Sequence, residues 1–527
     1  PEDAYFAEGV TDEVTSRLAM LSGLGVISRT SADQYANSTK PLRVIARELG
    51  ADYVLEGSVR VDRPAKGPGR VRVTPQLIRV SDDTHLWSFP YEGEIQDVFS
   101  VQSQIAEKVA GALAVALPGA QREQMSAKPT ENLAAYDAYM HGERLRERES
   151  SDRTSLVRAE KLLLEATTAD PRFALAFAKL ALLHVRMYET FMDRSPRRLA
   201  AARAAADSAV ALDPSLPDGH LALGSYFEGT GDIATAAQHY GAAERARPND
   251  AVILTASAAA LTRGGPWKEG LTRFRRAAEL DPLAPSVQLA AAVAFGMSRD
   301  YASAFRYVER AIAADSDYVD AYAIKARLEL VSGNWNRGRE LAHSIIQRFG
   351  AERSAGTELL HGIIPALDAS DLGALERVSR ATFAGSEAIY QFWRMVLFER
   401  WRPERARAHA DTLLRVGQHV IVDQPNDSRV RAGSGWANAL VGNRAQALTD
   451  VRRALELASN DAMAFSEAAH FAAYSFLLLG EHDAAIEQLE RLLQSPSWMS
   501  ANWLRQDPLW APLKANPRFQ QLLTRGA

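Results

Sequence analysis

Few residues in this chain stand at the spacings that catalysis or metal binding requires. Gly433-Ser434-Gly435 carries part of a nucleophile elbow, the sharp turn that presents a serine hydroxyl, but the G-x-S-x-G frame is incomplete. The same three residues fall where two packed helices need small side chains. Gly23-Leu24-Gly25 and Gly67-Pro68-Gly69 are isolated, with no G-x-x-x-x-G-K-[ST] loop to cradle phosphate, and read as turns. The eleven histidines include no i, i+4 pair that would set two imidazoles on one helix face for a metal. His239 beside Tyr240 and His470 before Phe471 read as packing or surface residues. The absence of cysteine excludes disulfides, thiolate metal sites and cysteine nucleophiles. No kinase signature motif occurs. The expectation is a non-enzyme with no catalytic residues, no metal and no cofactor.

Charge points the same way. The net charge of −4 gives no pull toward nucleic acid or an anionic membrane. The segment 143–149 mixes Glu and Arg and reads as a solvated helix face, while Arg400, Arg402, Arg405 and Arg407 are offset by Glu399 and Glu404. No run reaches the roughly 20 apolar residues of a membrane helix; the stretches Leu289–Phe295 and Ala472–Leu479 read as buried helices. No signal peptide is seen. The chain starts at Pro1 without methionine, which leaves room for an upstream anchor or catalytic domain. Hydrophobic residues at 47% and charged residues at 24% describe a folded protein, and 527 residues exceed one compact core.

The elements that must position any site begin with an α/β region over 1–117. Thr11 is expected to cap a helix with Val14, Leu18 and Leu21 at helical spacing. A short strand is expected over 26–29, then a helix from Pro41 to Leu49 ended by Gly50. Strands over 53–61 and 70–80 flank a turn-rich loop at 64–69. Val71, Val73 and Leu77 share one face, and Pro75 within it argues for an edge strand or a bulge. A third strand near 85–91 and a helix over 95–117 complete the domain, and 118–130 reads as a linker.

Beyond it the sequence repeats. Pro214, Pro248, Pro282 and Ser316 stand 34 residues apart. Within the first unit come Leu223, Gly224, Phe227, Ala236, Tyr240 and Ala243; the next has Ala258, Leu261, Gly270, Phe274 and Ala277; the third has Ala292, Phe295, Ala304, Val308 and Ala311. Small residues let paired helices approach, bulky ones fill the gap to the neighbour, and proline stops the second helix. This is the tetratricopeptide (TPR) pattern. Weaker units surround it: one closed by Pro171, followed by a 43-residue spacing with about nine extra residues near 188–197, and one marked by Tyr322, Ala326 and Gly338. The expected fold is mainly α, a small α/β domain followed by a TPR α-solenoid over 131–350. An irregular helical segment follows over 351–430, then TPR-like helices and a cap over 431–527, where Trp436, Trp503 and Trp510 read as core anchors.

With these residues in hand, both halves resemble a known family. Ala4-Tyr5-Phe6-Ala7-Glu8-Gly9-Val10-Thr11-Asp12-Glu13, Val26-Ile27-Ser28-Arg29-Thr30-Ser31 and the segment from Ile45 to Arg60 resemble the TolB-amino-terminal-like (FlgO-like) domain. In bacteria that domain commonly precedes TPRs, downstream of a class III adenylate cyclase, a winged-helix domain or a membrane-anchored serine/threonine kinase. Segments 97–102 and 132–139 look closest to the kinase-linked type, and Asp507-Pro508-Leu509-Trp510 with Pro517-Arg518-Phe519 resembles the usual closing motif. The kinase-linked resemblance implies a periplasmic or cell-surface location, with the cytoplasm as the alternative. The family's usual first strand, rich in Val and Ile and ending in Pro-Phe, has no counterpart here, which would leave one sheet edge exposed or differently paired.

The leading functional expectation is a non-catalytic module that binds a polypeptide in a groove lined by the first helix of each repeat. The register puts Glu228, Arg263 and Arg327 on that face, and Arg275 and Arg310 on second helices. Two alternatives are the regulatory half of a kinase or cyclase, and a structural subunit that self-associates. Nucleic acid and membrane insertion are not expected.

Overall fold

The computed structural model describes residues 4–524, apart from 37, 63–68, 95–97, 116, 118, 120, 121, 123–125, 148–152, 191, 194, 357–361 and 384. The expected loop at 64–69, the start of the helix expected over 95–117 and much of the 118–130 linker therefore lie largely outside the described residues. The protein is mainly helical with one small antiparallel sheet. It divides into two compact units, residues 1–260 with 272–287, and residues 261–271 with 288–527.

The first unit opens with helices α1 (Ala4–Ala19), α2 (Arg29–Asp33) and α3 (Leu42–Leu49), strands β1 (Tyr53–Asp62), β2 (Arg70–Arg79), β3 (Thr84–Ser88) and β4 (Tyr91–Glu94), and helix α4 (Val98–Ala112). Val10, Val14, Leu18 and Leu21 form the buried stripe of α1 and its exit, packed with Val71, Val73 and Leu77 of β2 and with Phe99, Ile105 and Val109 of α4. Gly50 ends α3 at φ +68°, a conformation costly for a residue with a Cβ.

Three expectations for this region need correction. Thr11 does not cap α1 but lies inside it, its hydroxyl donating back to the Ala7 carbonyl at 3.0 Å. The strand expected over 26–29 does not form. Ser28 N–H instead donates to the Leu280 carbonyl at 2.7 Å, and the Ser28 side chain caps α2. Of the two readings of Pro75, an edge strand or a bulge, the edge fails, while the β2–β3 register does shift two residues on, between Leu77 and Ile78. Pro75 sits in the central strand β2, opposite Gly57 of β1, where the partner on the other side changes from β4 to β3. Its carbonyl accepts from Phe89 N–H, so the missing amide hydrogen faces the corner between those two strands, where no ladder bond is lost. β1 pairs with β2 alone among the described residues.

The repeats of this unit follow: α5 (Leu133–Glu147) with α6 (Arg153–Ala169), α7 (Ala174–Glu189) with α8 (Pro196–Leu212), α9 (Pro217–Gly229) with α10 (Ile233–Ala246), then α11 (Ala251–Gly264) and α12 (Trp267–Leu280), of which residues 261–271 fall in the second unit. Close approach depends on the small residues: a Cβ at Gly224 of α9 would collide with the ring of Tyr240 in α10. The α/β domain rests on the turns between repeats. Asn249 Nδ2 donates to the Leu21 carbonyl at 3.0 Å, and Arg247 reaches Ser16 Oγ. One period later, Ser31 Oγ donates to Asp281 Oδ1 at 2.6 Å and accepts from Leu283 N–H.

The second unit contains α13 (Pro285–Met297) with α14 (Tyr301–Ala314), α15 (Val319–Ser332) with α16 (Trp335–Phe349), and two short helices, α17 (Ala351–Ala355) and α18 (Ala369–Leu375). Then come α19 (Glu387–Phe398) with α20 (Pro403–Val416), α21 (Gln418–Asp423), α22 (Ser428–Leu440) with α23 (Arg444–Leu457), α24 (Ala462–Leu478) with α25 (His482–Gln494), α26 (Ala501–Gln506) and α27 (Pro517–Thr524). Trp393, Trp436 and Trp510 anchor its core. Its C-terminal segment returns to earlier helices: Ser497 N–H donates to the Met297 carbonyl at 2.9 Å, and Ser500 Oγ to the Val331 carbonyl at 2.8 Å.

Candidate functional site

The three candidate binding residues fall in different surroundings. Glu228, in the last turn of α9, accepts a hydrogen bond from the Tyr240 hydroxyl at 2.7 Å, within its own repeat. Arg263, near the end of α11, donates from Nε and Nη2 to Asp461 Oδ2 at 2.9 and 2.7 Å. Asp461 is also the N-cap of α24, its other oxygen accepting from Met463 and Ala464 N–H. Charge reversal at Arg263 would therefore disturb a helix terminus as well as any ligand.

Arg327, in α15, is different. It makes no hydrogen bond or ion pair among the described residues, and its guanidinium lies 4.5 Å above the Trp498 ring. Burial lowers its pKa to about 10, so it stays charged at neutral pH. Arg263 and Arg327 belong to the second unit and Glu228 to the first.

First-helix charges in the first unit neutralise one another. Lys179 Nζ of α7 lies 2.9 Å from Asp218 of α9 and 3.5 Å from Glu143 of α5, and Arg247 Nη2 reaches Asp218 at 2.7 Å. Burial pushes the Asp218 carboxyl up, but Arg247 and Lys179 outweigh it and hold it below the usual range. The 143–149 run, read from sequence as a solvated face, thus contains a buried member in Glu143.

The groups with catalytic or ligating chemistry have structural partners. Ser434 is buried in α22, donating to Asp450 at 2.9 Å, and Asp450 also accepts from Arg431 and Asn438. A Cβ at Gly435 would lie 2.6 Å from the Val451 side chain, so the small residues serve helix packing.

Sequence spacing missed two histidine constellations, because both form between separate helices. His220 and His239 bring their Nδ1 atoms to 3.1 Å, and His220 Nε2 lies 3.0 Å from the Pro214 carbonyl. Burial and the His220 ring lower the His239 pKa. His343 Nδ1 lies 2.7 Å from Asp371 Oδ1, and with Asp368 these are the ligand-type groups that come together among the described residues. The two carboxylates already form the capping box of α18, Asp368 accepting from Ser370 and Asp371 N–H and Asp371 accepting from Asp368 N–H. The donors fit a helix cap as they stand.

No family model matches the chain. It is similar to a protein of Rhizobium meliloti (strain 1021) described as "Putative adenylate cyclase 3", 32% identical over 227 residues that cover 42% of this chain and 37% of the relative. The chain thus spans little more than a third of that relative's length. Among solved structures it is similar to PilF of Pseudomonas aeruginosa, 18% identical over 41% of this chain and 91% of the other, with a TM-score of 0.33. It is similar also to YrrB, a TPR protein with an unusual peptide-binding site, at 16% identity, 35% and 91% coverage and a TM-score of 0.28. The repeat assignment rests on the chain's own helix pairs: this is a TPR repeat protein with a small N-terminal sheet region.

Proposed function

We propose that this chain is a non-catalytic interaction and sensing region of a longer protein, and that its TPR repeats hold a polypeptide partner. The observation that carries the reading is the run of helix pairs at a 34-residue period, which offers equivalent side-chain positions at regular intervals to an extended chain. The structural use of Ser434 and of the His343 cluster supports the non-catalytic part. The N-terminal domain is the TolB-like element that the sequence resembles, docked on the inter-repeat turns. The kinase-linked resemblance supports an extracytoplasmic location. Among the described residues no helix is long and apolar enough to cross a membrane.

The test has two arms. The purified chain, supplied with ATP and Mg²⁺ or Mn²⁺, should make no cyclic nucleotide, hydrolyse no nucleotide and phosphorylate no protein above a heat-killed control. On an array of capped twelve-residue peptides it should bind a discrete subset saturably. Turnover that survives repurification overturns the first part, and no capture at micromolar concentrations overturns the second.

The similarity to the Rhizobium meliloti protein favours a second reading, the regulatory part of an adenylate cyclase whose catalytic domain lies outside this chain. Joined to its upstream sequence, the region should change cyclase rate or its response to an effector. Deletion with no effect on either would exclude that role.

A further inference from the structure

Charged side chains inside a fold are normally paired, because an uncompensated buried charge loses its hydration without return. The second unit follows this rule at Arg263 with Asp461 and at Arg400 with Asp507. Arg327 breaks it. Among the described residues its Nε is buried without a hydrogen bond, and the residue as a whole is half-buried.

The fold holds this side chain in place. The Trp498 ring lies beneath the guanidinium, and a Cβ at Gly362 would come within 2.7 Å of Nε, so no larger residue fits there. Trp498 is seated in turn against Gly296, where a Cβ would stand 2.8 Å from the ring. A second unpartnered atom belongs to the same neighbourhood: Nε2 of His470 in α24 is buried with no hydrogen bond. Burial, then the charges of Arg327 and Arg400, keep that ring neutral at physiological pH.

We infer that Arg327, on its Trp498 platform, receives one carboxylate of a bound polypeptide. This rests on the reading just given and supplies the chemistry of the partner. A guanidinium edge offers two parallel donors that match a carboxylate. The surrounding charge limits the anion to a single negative charge. Arg400 is answered by Asp507, and Glu467, exposed on α24, already adds negative potential at Arg327. Among the described residues a dianionic phosphate would meet Arg327 and that opposing carboxylate.

A receptor of this kind trades stability for binding. Arg327→Met keeps an unbranched apolar stem over Trp498 and removes the charge. The full chain and this variant are compared on an array of capped twelve-residue peptides, each made with Glu, Gln or phosphoserine at one position. The unmodified chain should prefer Glu over Gln by about tenfold or more, as loss of a charged bidentate pair implies. Arg327→Met should erase that preference with an unchanged or higher Tm, while Arg310→Gln on α14 should leave it intact. Capture of peptides with no Glu preference, or with a preference that survives Arg327→Met, overturns this inference and leaves the proposed function standing. Preference for phosphoserine overturns the choice of anion. A Tm lowered by several degrees in Arg327→Met makes the arginine structural and overturns the receptor. Capture of nothing by the unmodified chain removes both readings together.

Discussion

Glu399 shows what one buried carboxyl does to this fold. Its side chain is 2% exposed, Oε1 accepts from Trp436 Nε1 at 2.8 Å, and Oε2 is buried without a hydrogen bond, 3.9 Å from Arg400 Nη1. Burial pushes its pKa up to about 7, against the pull of Arg400 and the Trp436 bond. The unfolded value is near 4.5, so the folded state holds the proton more tightly. The resulting stability is fully present below about pH 4.5 and is lost as pH rises through 7, on the order of 3 kcal/mol for a shift of this size. Glu399→Gln should flatten that fall and raise Tm at pH 8. His184 and His409, whose pKa values burial lowers to about 4, act oppositely, losing stability as pH falls from 6.5 toward 4. The measurement is therefore the wild-type-minus-variant difference across pH 4–8, and a pH-independent difference would mean that Glu399 is not the titrating group. Sequence alone placed Arg400 in a basic run offset by Glu399 and Glu404. The partner of Arg400, Asp507, is 107 residues away and no local pattern announces it.

At the scale of elements, the repeat register was readable because each unit states its packing twice, in small residues and in the period. Gly224 and Ala258 are both fully enclosed, and Gly224 meets the Tyr240 ring that the same register marked as bulky. Gly224→Leu and Ala258→Leu should each overpack a helix contact at a cost of about 1–3 kcal/mol. Unchanged denaturation midpoints for both would displace the register. What was not readable was the reach of N-terminal residues toward the repeats. Val26-Ile27-Ser28-Arg29 has strand composition, but the Ser28 amide is taken by Leu280 and its hydroxyl by the start of α2, so tertiary contacts override β propensity. The edge reading of Pro75 failed for a similar reason. A proline is excluded from a central strand only if its nitrogen faces a continuous neighbour, and here the neighbour is divided between β3 and β4.

At the scale of whole units, each is held by long-range bonds to segments that a linear reading treats as separate. The α/β domain and the repeats meet in the first unit through Asn249 and Asp281, at turns one period apart. In the second unit the tie is Arg299, in the turn between α13 and α14. Its Nη1 donates to the Ser495 carbonyl at 3.1 Å, and Nη2 to the Leu492 and Met499 carbonyls at 2.9 and 3.2 Å. One cation thus serves the open carbonyl end of α25 and the segment leading to α26, a favourable placement of positive charge at a helix C-terminus. The backbone of Arg299 is left-handed, at φ +65°, where a non-glycine residue is disfavoured by roughly 1–2 kcal/mol. Arg299→Ala keeps that penalty and loses the bonds; Arg299→Gly loses the bonds and removes the penalty. Both should raise hydrogen exchange across 495–524, with Ala the less stable by about 1 kcal/mol. Exchange in residues 133–246 should not change. If 495–524 stays protected in both variants, closure rests on Trp498 and Trp503 packing instead of on this arginine. If Gly proves no more stable than Ala, the φ value carries no penalty worth removing.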